Sequence, residues 1–79
     1  MRFIKVSELK YPQLFDRVAL LHSPNNPSLS VGDVGTVVEI LPPDAIEVEF
    51  LARDGYTRCV ATLSVSDVLV LNRERTPVG

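Results

Sequence analysis

The sequence is poor in the residues that build catalytic, metal-binding or cross-linked sites. Its 79 residues include one cysteine, one histidine and no tryptophan. The single cysteine, Cys59, excludes an intramolecular disulfide and fits a reducing compartment. The single histidine, His22, has no cysteine or second histidine at metal-ligand spacing, so it does not indicate a zinc site. We therefore expect no metal and no cofactor.

Long apolar runs are also missing. No segment approaches the roughly 20 apolar residues that a membrane span requires, and the N-terminus has no apolar stretch of signal-peptide length. We expect a cytoplasmic protein without a membrane partner.

Positive charge is scarce in the body of the chain. Between residues 16 and 71 there are three arginines and eight carboxylates, a net charge of −5, whereas the two ends carry five basic and two acidic side chains, a net charge of +3. Nucleic-acid binders usually present a basic patch or stripe. The acidic body therefore argues against a nucleic-acid partner.

What the sequence does contain is enough apolar material for one small core. Hydrophobic residues make up 46% of the chain, which excludes wholesale disorder. The core of so short a domain has no spare volume for a large enclosed active site, and no nucleophile–base pair is visible. We therefore expect a single domain that is not an enzyme.

Apolar and polar residues alternate in several short segments. The clearest is 45–51, where Ile46, Val48 and Phe50 alternate with Glu47 and Glu49, as in a strand with one buried and one solvated face. Turn residues separate these segments every 8 to 12 positions, which is typical of a small barrel or sandwich. The predicted strands are 15–21, 36–41, 45–51, 56–63 and 68–71.

The turns narrow the choice between an OB-like and an SH3-like barrel. Gly32, Asp33 and Gly35 predict a diverging turn with positive φ at one or both glycines, and Asp54 with Gly55 predicts a tight hairpin. A long loop at 22–30 and a 3₁₀ turn at 64–67 complete the pattern. We predict an all-β, five-stranded SH3-like barrel at 14–71, an N-terminal extension at 1–13 and a flexible tail at 72–79.

Several spaced motifs strengthen this prediction. They are LFDRVALL at 14–21, VGDVGTVVE at 31–39, EVEF at 47–50, DGYT at 54–57 and ATL at 61–63. In this order they resemble a small bacterial family, domain of unknown function 4926, and the resemblance implies an SH3-like fold for residues 14–71. A looser similarity, over residues 32–50, is to the KOW-type SH3-like domains of ribosomal and transcription factors.

Side-chain parity predicts a candidate partner-binding face on the outside of the sheet. If Val38 and Ile40 point into the core, the residues on either side of them point outward. The acidic members would bind a basic partner or form an ordinary solvated exterior with an Arg58 ion pair. The apolar members would lie under the N-terminal extension, contact a partner or second copy, or stay exposed. The predicted face comprises Val37, Glu39, Leu41, Glu47, Glu49, Leu51, Tyr56 and Arg58.

The remaining candidates are weaker. His22, Asn25 and Asn26 are candidate contact residues in the long loop. Gly32, Asp33 and Gly35 would form a small anion nest only with a nearby cation, so we interpret them as a structural turn. Cys59 is expected to be a buried, inert thiol.

These features favour a non-catalytic protein-binding accessory module, and one version is an antitoxin- or immunity-like partner of a larger protein. We expect a protein partner, with a homo-oligomer as a further option. The alternative is a KOW-like RNA- or ribosome-binding domain. No feature of the sequence supports an enzyme.

Overall fold

Five antiparallel strands form one sheet in the computed structural model, which describes residues 11–51, 55, 56 and 58–71. The order across the sheet is β4-β3-β2-β1-β5. A 3₁₀ turn, Val65–Asp67, precedes the last strand. The all-β fold predicted from the sequence is confirmed. The strands are β1 Arg17–Leu20, β2 Val34–Leu41, β3 Ala45–Leu51, β4 Arg58–Ser64 and β5 Val68–Val70.

The core lies on the inner face of this sheet, because alternate residues of each strand point to the same side. Val18 and Leu20 of β1 are buried as predicted, and so are Ile46, Val48 and Phe50 of β3. The loop between β1 and β2 adds one buried residue that the sequence did not identify. Among the described residues, the buried core is Val18, Leu20, Leu29, Val37, Ile46, Val48, Phe50, Leu63 and Val68.

The chain forms a meander from β1 to β4 and then returns to its first strand. β5 pairs with β1, with Ala19 opposite Leu69 and Val18 opposite Val70. The pairing continues past β5, where the amide of Leu71 donates to the carbonyl of Arg17 over 2.8 Å. No ladder joins β4 to β5 among the described strands, so closure into an SH3-like barrel stays a prediction.

The predicted 3₁₀ turn is confirmed. The Ser64 side chain accepts a hydrogen bond from the amide of Ser66 at 3.2 Å, which satisfies one free donor at the start of the turn. The Val65 amide donates to the Asp44 carbonyl, and the Leu21 amide donates to the Asp67 carbonyl. These bonds tie the turn to the start of β3 and the end of β1.

Gly35 does not belong to the turn that the sequence predicted. Gly32 has a φ of +92° and is the turn glycine, whereas Gly35 is the second residue of β2 and is buried. A Cβ at Gly35 would lie 2.6 Å from Cγ1 of Val48 and 2.8 Å from the carbonyl oxygen of Glu49. Glycine is needed there because β3 passes too close for a side chain.

The outward position predicted for Val37 is wrong. Val37 is fully buried, while Val38, which was expected in the core, is exposed. The cause is a register shift between β2 and β3: Val37 pairs with Val48, but Glu39 pairs with Glu47. One extra residue in β2 is a β-bulge, and it reverses the parity of the strand on one side.

β1 begins two residues later than predicted. Phe15 has a φ of +70° and is 70% exposed, so the chain turns before it enters the strand. Its amide still donates to the Val37 carbonyl at 2.7 Å. From the predicted extension, Tyr11 donates through its hydroxyl to the Pro43 carbonyl. The predictions for residues 1–10, Asp54 and 72–79 lie outside the described residues.

Candidate functional site

An exposed apolar row crosses one end of the outer face of the sheet. Leu69 of β5 lies opposite Ala19 of β1, and Ala19 lies opposite Val34 of β2. The exposed fractions are 49% for Leu69 and 41% for Val34. Facing residues on one side of an antiparallel sheet have Cβ atoms about 5 Å apart. These three side chains therefore form a continuous strip, which we call the apolar row.

Two further apolar residues extend this surface toward β4. Leu51, at the end of β3, is 59% exposed and lines a common groove with Val34. Val60 of β4 is 56% exposed and lies opposite Glu49. The apolar row thus continues to Leu51, and Val60 is the diagonal neighbour of Leu51 across the β3–β4 ladder. Such a grouping differs from the scattered single residues that are normal on a small protein.

Next to the apolar surface lies a group of carboxylates. Glu39 on β2 directly faces Glu47 on β3, and no hydrogen bond or ion pair of either side chain occurs within the described residues. Like charges in facing positions destabilise a sheet. Their facing positions make this part of the outer face acidic.

Glu49 is the carboxylate that has a partner. Its Oε2 accepts from Nη1 of Arg58 at 3.1 Å, so the ion pair expected from the sequence is confirmed. The two side chains are 29% and 66% exposed. At this exposure the pair contributes at most about 1 kcal/mol to stability. Because Arg58 neutralises Glu49, the uncompensated negative charge of this group lies on Glu39 and Glu47.

The structure brings most of the predicted face together. Glu39, Glu47 and Glu49 project from the outer side, as do Leu41, which faces Ala45, and Leu51, which faces Arg58. Val37 is excluded because it is in the core. Tyr56 is 88% exposed and lies just before β4.

A comparison with known protein families identifies the family of this chain. One family model matches the chain over residues 14–70, which is more than half of its length. The chain belongs to the family described as Domain of unknown function (DUF4926). No curated protein and no solved structure matches it. The family resemblance drawn from the motifs is confirmed, and the match includes all five strands and the 3₁₀ turn.

Sequence reasoning missed Val34, Val60 and Leu69, which form much of the exposed apolar surface of this DUF4926 domain. Val60 and Leu69 were each treated as ordinary strand residues, and Val34 was assigned to the turn. The available signal was parity within β4: Val60 has the same parity as Arg58, which was predicted to face outward. For Val34 and Leu69, only the cross-strand register with Ala19 brings them together.

The long loop of the DUF4926 domain divides into exposed and anchored residues. His22 and Asn25 are exposed. Asn26 is half-buried: its side-chain oxygen accepts from the Ser28 amide at 2.8 Å, and its Nδ2 lies 3.5 Å from Sγ of Cys59. Asn26 therefore holds the loop against β4 and is less available as a contact residue than predicted. Cys59, which was expected to be buried, is only half-buried, although it does pack against the core.

Beside this loop is an open groove of about 650 Å³. Its walls are loop residues such as Ser30 and Val31, and the ends of β3 and β4, including Leu51 and Arg58. The loop wall is fixed by Asp33, whose Oδ2 accepts from the Ser30 amide at 2.9 Å. The groove opens next to the exposed apolar surface.

Buried polar side chains and metal-binding clusters are not found in the described part of the chain. No polar or charged side chain is buried there, and no three His, Cys, Asp or Glu side chains come close enough to hold a metal ion.

In the same part of the chain, no helix has the length and apolar character needed to cross a membrane.

Proposed function

We propose that this DUF4926 domain is a non-catalytic protein-binding module that uses the outer face of its sheet. The observation that carries the proposal is the exposed apolar row, Leu69, Ala19 and Val34, with Leu51 and Val60 beside it. A contiguous apolar surface bordered by charge is typical of a protein interface.

The apolar residues supply the driving force. Full burial of a valine or leucine side chain contributes about 1.5–3 kcal/mol. Leu69, Leu51 and Val60 keep roughly half of their surface exposed, so a partner that covers them gains about 1 kcal/mol from each. Association itself costs several kcal/mol, so binding through this face depends on covering most of the apolar surface at once.

The carboxylates determine which partner fits. Glu39 and Glu47 face each other without a cation among the described residues, and the body of the chain carries a net charge of −5. A lysine or arginine placed between them relieves their repulsion and speeds encounter. The partner we propose is a protein whose surface has apolar side chains bordered by basic ones. A non-catalytic role fits the open outer face of this domain, because an open face does not exclude water as a catalytic site must.

Site-specific photo-crosslinking in cells of the source organism tests the proposal. A photoreactive residue is placed at Val34 or Leu69 on the face, at Asn25 in the loop, and at Asp44 in the β2–β3 turn as a control. We expect a covalent protein adduct from Val34 and Leu69 and none from Asp44. Adducts from Asn25 alone would move the binding site to the loop, and no adduct from any position would contradict the proposal.

Charge variants test the acidic part of the face once an adduct has been identified. Glu39→Gln with Glu47→Gln should weaken binding about 3- to 10-fold and reduce its salt dependence, because rim charges act mainly on encounter. Asp44→Asn removes an exposed carboxylate away from the face and is the matched control. An RNA gel shift at low salt is run in parallel, and RNA binding without any protein adduct would replace this proposal with the KOW-like alternative.

A further inference from the structure

Among the described strands, β4 lies at one edge of the sheet and lacks the usual protection of an edge strand. Its seven residues pair with β3 without a register shift, and no other described strand pairs with it. Edge strands are normally guarded by charged residues, proline, bulges or shortness. After Arg58, the sequence CVATLS contains no charge and no proline. The opposite edge, β5, has only three residues.

We propose that β4 binds β4 of a second copy of this chain, antiparallel, so that two sheets join into one. A joined sheet must keep outward residues opposite outward residues, which restricts the pairing to every second register. The register that uses all seven residues of β4 places the two-fold axis at Ala61. The two neighbouring registers, centred on Val60 or Thr62, pair only five of the seven residues.

In the full register the strand is complementary to itself. On the outer face Val60 lies opposite Thr62 of the second copy, and Arg58 lies opposite Ser64. On the inner face Cys59 lies opposite Leu63, and Ala61 faces its own copy. No like charges meet, and β-branched residues pair across the new ladder, as in stable sheets. Such an isologous contact closes as a dimer and does not propagate.

The edge position of β4 keeps like charges out of the new ladder. β3 presents Glu47 and Glu49 on its outer side, but it lies between β4 and β2 and has no free edge among the described strands. β4 separates these carboxylates from the sheet edge, and its one charged residue, Arg58, already forms an ion pair with Glu49. The edge that meets the second copy is therefore nearly neutral.

The interface is small, and this sets the strength of the dimer. Pairing of seven residues buries less than the roughly 1,200 Å² of a standard stable complex. We expect a reversible dimer with a dissociation constant of roughly micromolar to millimolar. The inference does not rest on the proposed function, because it uses the backbone edge of β4 and shares only Val60 with the exposed apolar surface.

Sedimentation equilibrium of the full chain tests the dimer. The average mass of the wild-type chain should rise from 8.7 kDa toward twice that value as concentration increases. Val60→Lys with Thr62→Lys places lysines opposite lysines of the second copy, whereas within the chain they face Glu49 and Glu47. This variant should keep its fold by circular dichroism and dimerise at least tenfold more weakly. Leu71→Lys, just after β5 and outside the exposed apolar surface, is the matched control and should dimerise like the wild type.

Disulfide trapping tests the register without relying on charge. In a Cys59→Ser background, Val60→Cys with Thr62→Cys should form a covalent dimer on mild oxidation, because these positions face each other across the two-fold axis. Leu69→Cys in the same background should not. A wild-type chain that remains monomeric up to about 1 mM, or a lysine pair that leaves dimerisation unchanged, would overturn the proposal. A covalent dimer from Leu69→Cys but not from the β4 pair would also contradict it.

Discussion

Replacing Gly35 with alanine tests how closely β2 and β3 pack. The added methyl would lie 2.6 Å from Cγ1 of Val48, 2.8 Å from Cδ1 of Phe50 and 2.8 Å from the carbonyl oxygen of Glu49. The two side chains can rotate or shift, but the carbonyl oxygen belongs to the backbone of β3. Relief therefore requires separation of the two strands at that point.

Overpacking of this kind costs about 1–3 kcal/mol, and the backbone contact places Gly35→Ala near 3 kcal/mol. For a domain of this size, that loss lowers Tm by roughly 12–24 °C. Because the chain has no tryptophan, urea denaturation followed by far-ultraviolet circular dichroism is a suitable measurement. We expect the midpoint to fall while the slope of the transition stays unchanged.

Gly32→Ala provides the comparison that decides between two roles for Gly35. At Gly32 nothing lies within 4 Å of an added Cβ, and the cost comes only from its φ of +92°, about 1–2 kcal/mol. Close packing predicts that Gly35→Ala is the more destabilising of the two. If Gly35→Ala stayed within about 0.5 kcal/mol of the wild type, or ranked below Gly32→Ala, the strand-packing explanation would be refuted.

Three further predictions concern single side chains. Val37→Ala should cost about 2 kcal/mol in urea denaturation and Val38→Ala less than about 1 kcal/mol; the reverse order would contradict the bulge that buries Val37. Arg58→Ala should change stability by no more than about 1 kcal/mol in low or high salt. A larger loss would mean that the exposed ion pair with Glu49 contributes more to stability than its exposure implies. Ser64→Ala should cost about 0.5–1 kcal/mol, since the Ser66 amide loses its acceptor; an unchanged melting temperature would assign no role to this cap.

The sequence predicted the fold best where polar and apolar residues alternate strictly. Ile46, Val48 and Phe50 were correctly placed in the core because Glu47 and Glu49 separate them. In β2 this signal is absent: Val37 and Val38 are identical, so nothing in the chain indicates which one faces inward. Only the pairing with β3 reveals the extra residue.

The candidate site was predicted in part for a similar reason. The carboxylates Glu39 and Glu47 could be identified from parity, and so could the Arg58 ion pair. The apolar row could not, because Val34, Ala19 and Leu69 are far apart in the chain and meet only through the β1–β2 and β1–β5 ladders. Gly35 was misassigned because the segment that contains Gly32, Asp33 and Gly35 has the composition of a turn. The close approach of β3, which explains the glycine at position 35, cannot be seen in the sequence.

The pairing of β5 with β1 has a consequence for how the domain is synthesised and rearranged. β1 is made before the other described strands, but its ladder with β5 requires residues 68–70, which are made after all of them. Until then β1 keeps one edge open, whereas the β2–β3–β4 meander can form from neighbouring segments. The same pairing holds Arg17 and Leu71 within a hydrogen bond of each other. A short linker between these points, with new termini opened in the exposed loop at His22 or Asn25, should therefore give a circularly permuted chain with the same sheet.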